Sequence, residues 1–599
     1  MTSHAQAHPA AVSTRHSAYV AMRDGVRLAV EIWLPPGTVE TAERVTTLCW
    51  FTRYWRAMLR DGPEPRAYGE AVAQAGFAFV HVDARGSGAS FGVRLVEYSD
   101  DEVADMGEII DWIAAQPWSD GRVATGGVSY VGNTAELAAS LGRPALCAAV
   151  PQFTDYDFFD QILFPGGLLN RGFVDSWGQF VRALDRNDIA LLRTRFAALG
   201  FADTRGVKPV DGAETALADA LADHEANGYY LDACRSWTFR DDVAGVNDSG
   251  ALIRRKPLFT YARALEQAQT PMLHWIGWLD SATAAGALAR FAALDAPNTI
   301  LIGPWTHGAT ARADVFDDAR QPVVPSPAAQ RALILRYIAD AAAGRPGPGR
   351  CVIYYTMGEG AWRRTRVWPP RTVSPQTLFL HADGALRDEA PTAREATCVY
   401  VVDVEAGTGD ATRWTTSMGG GPVAYGDRVA ADARLLTFTA APLDAPLAIV
   451  GAPQVTLELS SSHADIAVIA YLEAVAPDGQ VRYLTEGALR AVHRRIHPGR
   501  SPHDPFAPNR SFLRADAWPL TPGEPATLTF NLIPTAVRVP AGWRMRLALA
   551  GADKDTFARI PADGRPEWRL FAQSDAASWL VLPVDSDPAP GDELERLLW

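Results

Sequence analysis

The stretch Val123-Ala124-Thr125-Gly126-Gly127-Val128-Ser129-Tyr130-Val131-Gly132 decides how this chain is read. Small and β-branched residues run into two glycines and a serine, and Asn133 to Leu141 then follow as a helix former. A strand that turns at once into a helix needs glycine beside the turn, and it leaves the serine hydroxyl standing at the sheet edge. The pattern is Gly-x-Ser-Tyr-x-Gly, with the second glycine one place later than in the commonest Gly-x-Ser-x-Gly form. Alone it also fits a glycine-rich turn that merely includes Ser129, so the residues around it have to decide.

Upstream of this elbow the text alternates: strand-like Thr46 to Phe51, helical Tyr68 to Ala75, strand-like Ala78 to Val82, helical Glu102 to Ala115. Strands separated by helices of this length imply right-handed crossovers and a mainly parallel sheet, an α/β layer. From about Gln152 to Arg255 strand signals fade and aromatic, helical text takes over, with Phe158, Phe159, Phe164, Phe173, Trp177 and Phe180 ahead of Ala213 to Ala226. We read this as a helical cap over the carboxyl edge of the sheet, where ligands bind. Sheet text resumes at Pro271 to Ile276 and Thr299 to Ile302, and Ala328 to Ala343 reads as one long helix.

The run Gly344-Arg345-Pro346-Gly347-Pro348-Gly349 cannot hold helix or central strand and marks a linker. Beyond it the period becomes two. Val455, Leu457 and Leu459, then Leu528, Phe530 and Leu532, then Met545, Leu547 and Leu549 alternate with less apolar neighbours between Gly/Pro turns. Short antiparallel strands of this kind predict a β-sandwich or jelly roll. The expected fold is an α/β-hydrolase core (17–151 and 263–345), an inserted helical cap (152–262) and a C-terminal jelly-roll domain (350–599).

Composition narrows the function classes. The 599 residues are 48% hydrophobic and 21% charged, which excludes a disordered or coiled-coil chain. A net charge of -13 makes nucleic acid an unfavourable partner. No stretch approaches the roughly eighteen charge-free apolar residues of a membrane span, and Met1 to His16 lacks the pattern of a secretory signal, so a cytoplasmic protein is expected. The 5 cysteines, Cys49, Cys147, Cys234, Cys351 and Cys398, are scattered and never form a CxxC pair, which fits reduced thiols and neither a disulfide framework nor a zinc site.

A serine hydroxyl is a weak nucleophile near neutral pH and needs a histidine to take its proton and a carboxylate to orient that histidine. In the α/β-hydrolase order the acid follows the serine and the histidine follows the acid. Asp280 lies just beyond the strand Pro271 to Ile276, and His307 just beyond Thr299 to Ile302. Their separation, 307 − 280 = 27, is about one crossover unit. Taken singly, Asp280 also fits a turn residue and His307 a partly buried loop histidine; together with Ser129, at successive strand ends, they form a candidate triad. His274 competes but lies mid-strand and ahead of the acid.

The chain resembles the cocaine-esterase-like (CocE/NonD) serine hydrolases, related to X-prolyl dipeptidyl-peptidases and α-amino-acid ester hydrolases. The resemblance is carried by Met22-Arg23-Asp24-Gly25-Val26-Arg27-Leu28, Asp83-Ala84-Arg85-Gly86-Ser87-Gly88-Ala89-Ser90 and Trp118-Ser119-Asp120-Gly121-Arg122-Val123 before the elbow. It continues in Gly277-Trp278-Leu279-Asp280, Gly303-Pro304-Trp305-Thr306-His307, Thr485-Glu486-Gly487-Ala488-Leu489-Arg490 and Gly542-Trp543-Arg544-Met545-Arg546-Leu547.

The resemblance implies an oxyanion hole made by the Tyr54 hydroxyl and the Tyr130 backbone N–H, with Asp83, Arg85 and the glycines after them bracing a loop nearby. Without it, Tyr54 reads as a loop aromatic under the cap. It also implies a Ser129 acyl-enzyme acting on a small-molecule ester or amide, with no metal and no organic cofactor. A homodimer is among the assemblies it leaves open. In the amino-acid ester hydrolases, acids next to the catalytic aspartate hold the substrate's ammonium group. Here Ser281-Ala282-Thr283-Ala284 follows Asp280, so that substrate class is disfavoured unless cap acids such as Asp155, Asp157, Asp160 or Asp175 replace them.

Trp55, Phe153, Trp177, Trp278 and Trp305 are candidates to line an acyl pocket for a bulky apolar or aromatic ester, although such residues also fit ordinary core. Two rival readings stay open. One is an X-prolyl dipeptidyl-peptidase or aminoacyl hydrolase; the other is an inert binding protein that uses its jelly roll.

Overall fold

The structure, a computed structural model, describes residues 13–62, 68–229, 231–242, 258–317, 321–345 and 347–599; residues 1–12, the cap stretch 243–257 and Pro346 of the linker lie outside them. The chain divides into two compact units. The first comprises Met1–Pro151, Phe180–Gly228 and Ala332–Pro346, the second Gln152–Gln179, Tyr229–Arg331 and Gly347–Trp599.

In the first unit the strands are β1 (Thr14–Ala21), β2 (Arg27–Leu34), β3 (Val45–Thr52), β4 (Met58–Arg60), β5 (Ala78–Asp83), β6 (Ser119–Val128), β7 (Leu146–Gln152) and β8 (Thr204–Val207). Six of them lie in the order β1-β2-β5-β3-β6-β7. β3 runs parallel to β5 and β6, as the alternating text predicts, whereas β1 and β2 form an antiparallel pair that continues onto β5. The turn between β1 and β2 closes on Met22 N–H to the Val26 carbonyl at 2.8 Å, with Gly25 at φ 85°. β4 and β8 pair separately as a short antiparallel ribbon, so the stretch in which strand signals fade, read as a helical cap, contributes one short strand.

Helix Asp100–Ala114 shows why these elements form where they do. The Ser99 side chain accepts the Glu102 N–H at 3.2 Å, and three acids occupy the first turn, where the helix dipole favours them. Val103, Met106, Ile109, Ile110 and Ile113 form the buried stripe.

The second unit carries β9 (Met272–Gly277), β10 (Asn298–Gly303), β11 (Cys351–Thr356) and β12 (Ala361–Thr365). Every residue of β9, β10 and β11 is buried, the pattern of parallel strands covered on both faces. The Gly/Pro run at 344–349 ends helix Pro327–Ala342 but does not end the sheet, because the chain re-enters as β11, parallel to β10. Proline and glycine stop the helix there, and a strand–helix–strand crossover follows. The α/β sheet therefore continues past the expected domain boundary.

The remaining strands form a mostly antiparallel β-domain. Ala467–Val475, buried throughout, lies between Val481–Arg490 and Arg544–Ala550. All five cysteines are free thiols.

Candidate active site

Strand β6 ends at Val128 and helix Tyr130–Ser140 begins two residues later, with Ser129 between them at φ 63°, ψ −128°. A positive φ is rare for a residue bearing a side chain, and it is the strained turn that a nucleophile elbow demands. Gly127, at φ 132°, permits the turn: a Cβ there would lie 2.3 Å from Val131 Cγ1. The Ser129 carbonyl accepts the Asn133 N–H at 2.9 Å, and the Thr134 hydroxyl donates to the Phe51 carbonyl at 3.0 Å, tying the new helix to β3.

The Tyr130 N–H lies in the first turn of that helix, where no intrahelical carbonyl can receive it, so it is a donor available to an anion. Its phenol is held elsewhere. Burial and the Glu102 carboxylate raise its pKa well above 10, so the hydroxyl stays protonated and donates to Glu102, which also accepts the Tyr98 N–H at 2.7 Å. Tyr54 packs edge-on against Tyr130 at 5.9 Å and stacks on Phe180 at 5.9 Å.

Buried ion pairs fix the residues on either side of Tyr54. Arg53 reaches Glu97 and Asp185, and Arg94 reaches Asp185 at 2.5 Å. Asp83 accepts the Arg56 N–H at 2.5 Å, the Arg56 guanidinium at 3.1 Å and the Ala89 N–H at 2.9 Å. A Cβ on Gly88 would fall 2.3 Å from the Asp83 carboxylate, which explains glycine there. Arg85 in turn bonds Asp105 and Asp24, so the two early motifs form one brace.

In the second unit, β9 leads into Asp280, which is fully buried, and β10 leads into the turn carrying His307. His307 Nδ1 is 3.0 Å from each Asp280 carboxylate oxygen, and the Thr283 hydroxyl donates to Oδ2 at 3.2 Å. The His307 side chain keeps 12% of its surface exposed while Asp280 keeps none, the division of roles expected of a working imidazole and its orienting acid. His274, the competing histidine, lies buried in β9, and among the described residues neither of its ring nitrogens has a hydrogen-bond partner. Burial and the charge of Arg290 hold it neutral, with a pKa well below 6.5.

Sequence reasoning missed the segment Thr412–Gly420 of the β-domain. Arg413, fully buried, donates to the carbonyls of Trp278 and Ser281 at 2.8 and 2.7 Å, and the Thr416 hydroxyl lies 3.4 Å from Asp280 Oδ1. The Thr306 hydroxyl donates to the Gly420 carbonyl at 2.8 Å, and a Cβ on Gly420 would meet the His307 carbonyl at 2.2 Å. Glu486, within the motif Thr485 to Arg490, receives the Trp414 indole N–H and, at 3.1 Å, the Tyr425 hydroxyl. The only sequence-level signal was that late motif, whose partners are not local.

The aromatic candidates have separate surroundings. Phe153 packs edge-on against the His307 ring at 5.8 Å. Trp55 donates its indole N–H to the Leu184 carbonyl at 3.2 Å, and Trp177 stacks on Phe173 at 5.7 Å. Trp278 and Trp305 are fully buried, donating to the carbonyls of Tyr355 and Val324 at 2.7 and 3.1 Å. Of the cap acids, Asp157 is paired with Arg240 at 2.5 Å and Asp175 with Arg235 at 2.7 Å.

The first unit thus holds a strained serine between strand and helix, the second a buried aspartate bonded to a loop histidine, and their chain order, serine, acid, histidine, is that of the α/β-hydrolases. Comparison with known proteins agrees. A profile for X-Pro dipeptidyl-peptidase (S15 family) matches residues 24–309, and one for the X-Pro dipeptidyl-peptidase C-terminal non-catalytic domain matches residues 350–575. The chain is 38% identical over 605 residues to a Mycobacterium bovis protein named "Putative serine esterase Mb1866c", covering 95% of each. It is 28% identical over 513 residues to cocaine esterase from Rhodococcus sp., covering 80% of this chain and 84% of that one. A crystal structure of a CocE/NonD family hydrolase from Staphylococcus aureus superposes with TM-score 0.70 at 17% identity, covering 96% of this chain and 94% of that one. The chain belongs to the CocE/NonD family of serine hydrolases and is an enzyme, which removes the inert binding protein from consideration. Among the described residues no helix is long and apolar enough to cross a membrane.

Proposed function

We propose that this enzyme hydrolyses carboxylic esters with an uncharged, bulky apolar or aromatic acyl group through an acyl-enzyme on Ser129. The reading rests chiefly on the bond from His307 Nδ1 to the Asp280 carboxylate, which fixes the tautomer that leaves Nε2 as a base. Ser129 attacks the carbonyl carbon while His307 accepts its proton, and the alkoxide is received by the Tyr130 N–H and the Tyr54 hydroxyl. His307 returns the proton to the departing alcohol. Water then attacks the acyl-enzyme by the same route, releasing the acid and restoring Ser129.

Two observations support an uncharged acyl group: no acid follows Asp280 directly, and Asp157 and Asp175 are already paired with arginines. The S15 profile favours a second reading, cleavage of X-Pro amides. A fluorophosphonate probe should label the wild type and fail on Ser129→Ala; equal labelling of both sinks the Ser129 assignment. Comparing p-nitrophenyl butyrate and longer or aromatic acyl esters with Ala-Pro-p-nitroanilide separates the two readings. Preference for the anilide would replace ester cleavage by peptidase action.

A further inference from the structure

We propose that Asp157, Asp160 and His503 hold a divalent first-row transition cation of the zinc type, in a site that none of the residues assigned to hydrolysis lines. One ligand atom from each of these side chains lies within 4.8 Å of the others, near enough to close on one ion with a small movement of the side chains. Asp157 and Asp160 flank the start of the turn Phe159–Leu163 in the cap, and His503 arrives from a loop of the β-domain, so a shared ion would pin the two together.

The histidine carries the argument. His503 is only 6% exposed, yet among the described residues neither ring nitrogen makes a hydrogen bond. Its ring is held between Phe259 and Phe512, at 5.7 and 6.3 Å, and it faces a cavity of about 290 Å³ that Asp160, Asp504 and Arg510 also line. A neutral imidazole nitrogen that opens onto this cavity can give its lone pair to a cation there. The cavity has room for waters to complete a coordination shell.

The charges around it have been partly answered by the protein. Arg240 bonds both Asp157 oxygens, at 2.8 and 2.5 Å, and the Phe159 N–H adds a bond to Oδ1 at 3.3 Å, so Oδ2 is the oxygen that keeps a lone pair for a cation beside its arginine. Asp160 Oδ1 accepts the Gly166 N–H at 2.9 Å, and Asp504 accepts the Phe506 N–H at 3.0 Å. Arg510 is spent on the carbonyls of His493 and Thr529. Three carboxylates thus face two guanidiniums and a neutral imidazole. Two oxygens and one imidazole nitrogen suit zinc and its neighbours, whereas calcium takes six to eight oxygens.

The test uses the full chain with any affinity tag removed, freed of metal by chelator and dialysed. Wild type should bind about one equivalent of Zn²⁺ in a titration, retain it in His307→Ala, and show a higher melting temperature with Zn²⁺ present. His503→Ala and Asp160→Asn should each weaken binding about tenfold or more and abolish the thermal shift. Co²⁺ supplied to the wild type should give visible ligand-field absorption that Zn²⁺ displaces, a readout that needs no variant to fold. The proposal is overturned if wild type takes up no Zn²⁺ or shows no Co²⁺ band, if both variants bind as tightly as wild type, or if Ca²⁺ binds in preference.

Discussion

At φ 63°, ψ −128°, Ser129 carries backbone strain of roughly 1–3 kcal/mol, held in place by the strand before it and the helix after it. Ser129→Ala keeps that backbone and removes only the oxygen, so it should cut kcat at least about 10⁴-fold with the melting temperature essentially unchanged. Ester kinetics and a thermal melt read the two halves of that statement; a residual rate within tenfold of wild type would contradict it. Asp280→Asn should lower kcat about 10⁴-fold with little change in KM, because the amide favours the wrong imidazole tautomer. Tyr54→Phe removes one oxyanion donor while keeping the ring contacts with Tyr130 and Phe180. A loss of about 10²-fold in kcat is expected, and an unchanged rate would leave Tyr54 as a packing residue.

At the scale of elements, the loops bearing Asp280 and His307 are held by Thr412–Gly420. Arg413→Met keeps much of the side chain's bulk but strips the carbonyls of Trp278 and Ser281 of their donor and leaves Glu486 without that buried charge nearby. A fall in melting temperature of several degrees, with kcat reduced more than KM is changed, would show that this brace aligns the Asp280–His307 pair; an effect on stability alone would show that it does not. The contrast with the rest of the site is instructive. Ser129 announces itself because glycine, serine and helix must be adjacent in the chain for the turn to exist, and Asp280 and His307 because strand ends recur at crossover spacing. Thr412–Gly420 is irregular text with no period, and its partners around Asp280 and His307 lie more than 100 residues away, so nothing local encodes those contacts. Strands β1 and β2 escaped notice for a related reason: β2 is buried along most of its length and so lacks the alternation that marks a half-exposed strand.

Across the whole molecule, buried neutral histidines set the response to acid. In the fold His493 does not protonate until about pH 3, because burial and Arg490 oppose the charge, whereas in the unfolded chain it protonates near 6.5. The unfolded state therefore binds the proton first, and this contribution to stability, complete above pH 6.5, is lost as pH falls toward 3. Between pH 6.5 and 5 the loss is about 2 kcal/mol. His493→Gln should flatten the stability profile over that interval in urea titrations; an unaltered slope would refute the assignment. The same reasoning applies to His81, whose pKa is lowered to about 4. At this scale, too, a chain ended at residue 345 loses the donors from Arg413 and Thr416 along with β11, and should be insoluble or inactive. Near-normal hydrolysis by the soluble fragment would contradict that.

The position of this brace also has a consequence in time. Ser129, Asp280 and His307 all leave the ribosome before Gly420, which follows His307 by 420 − 307 = 113 residues. At about 5–20 residues per second that is a delay of roughly 6–20 s. Through that interval the nascent chain carries Ser129, Asp280 and His307 but not the segment that bonds the loops of the last two, so the bracing of that pair is completed late in synthesis.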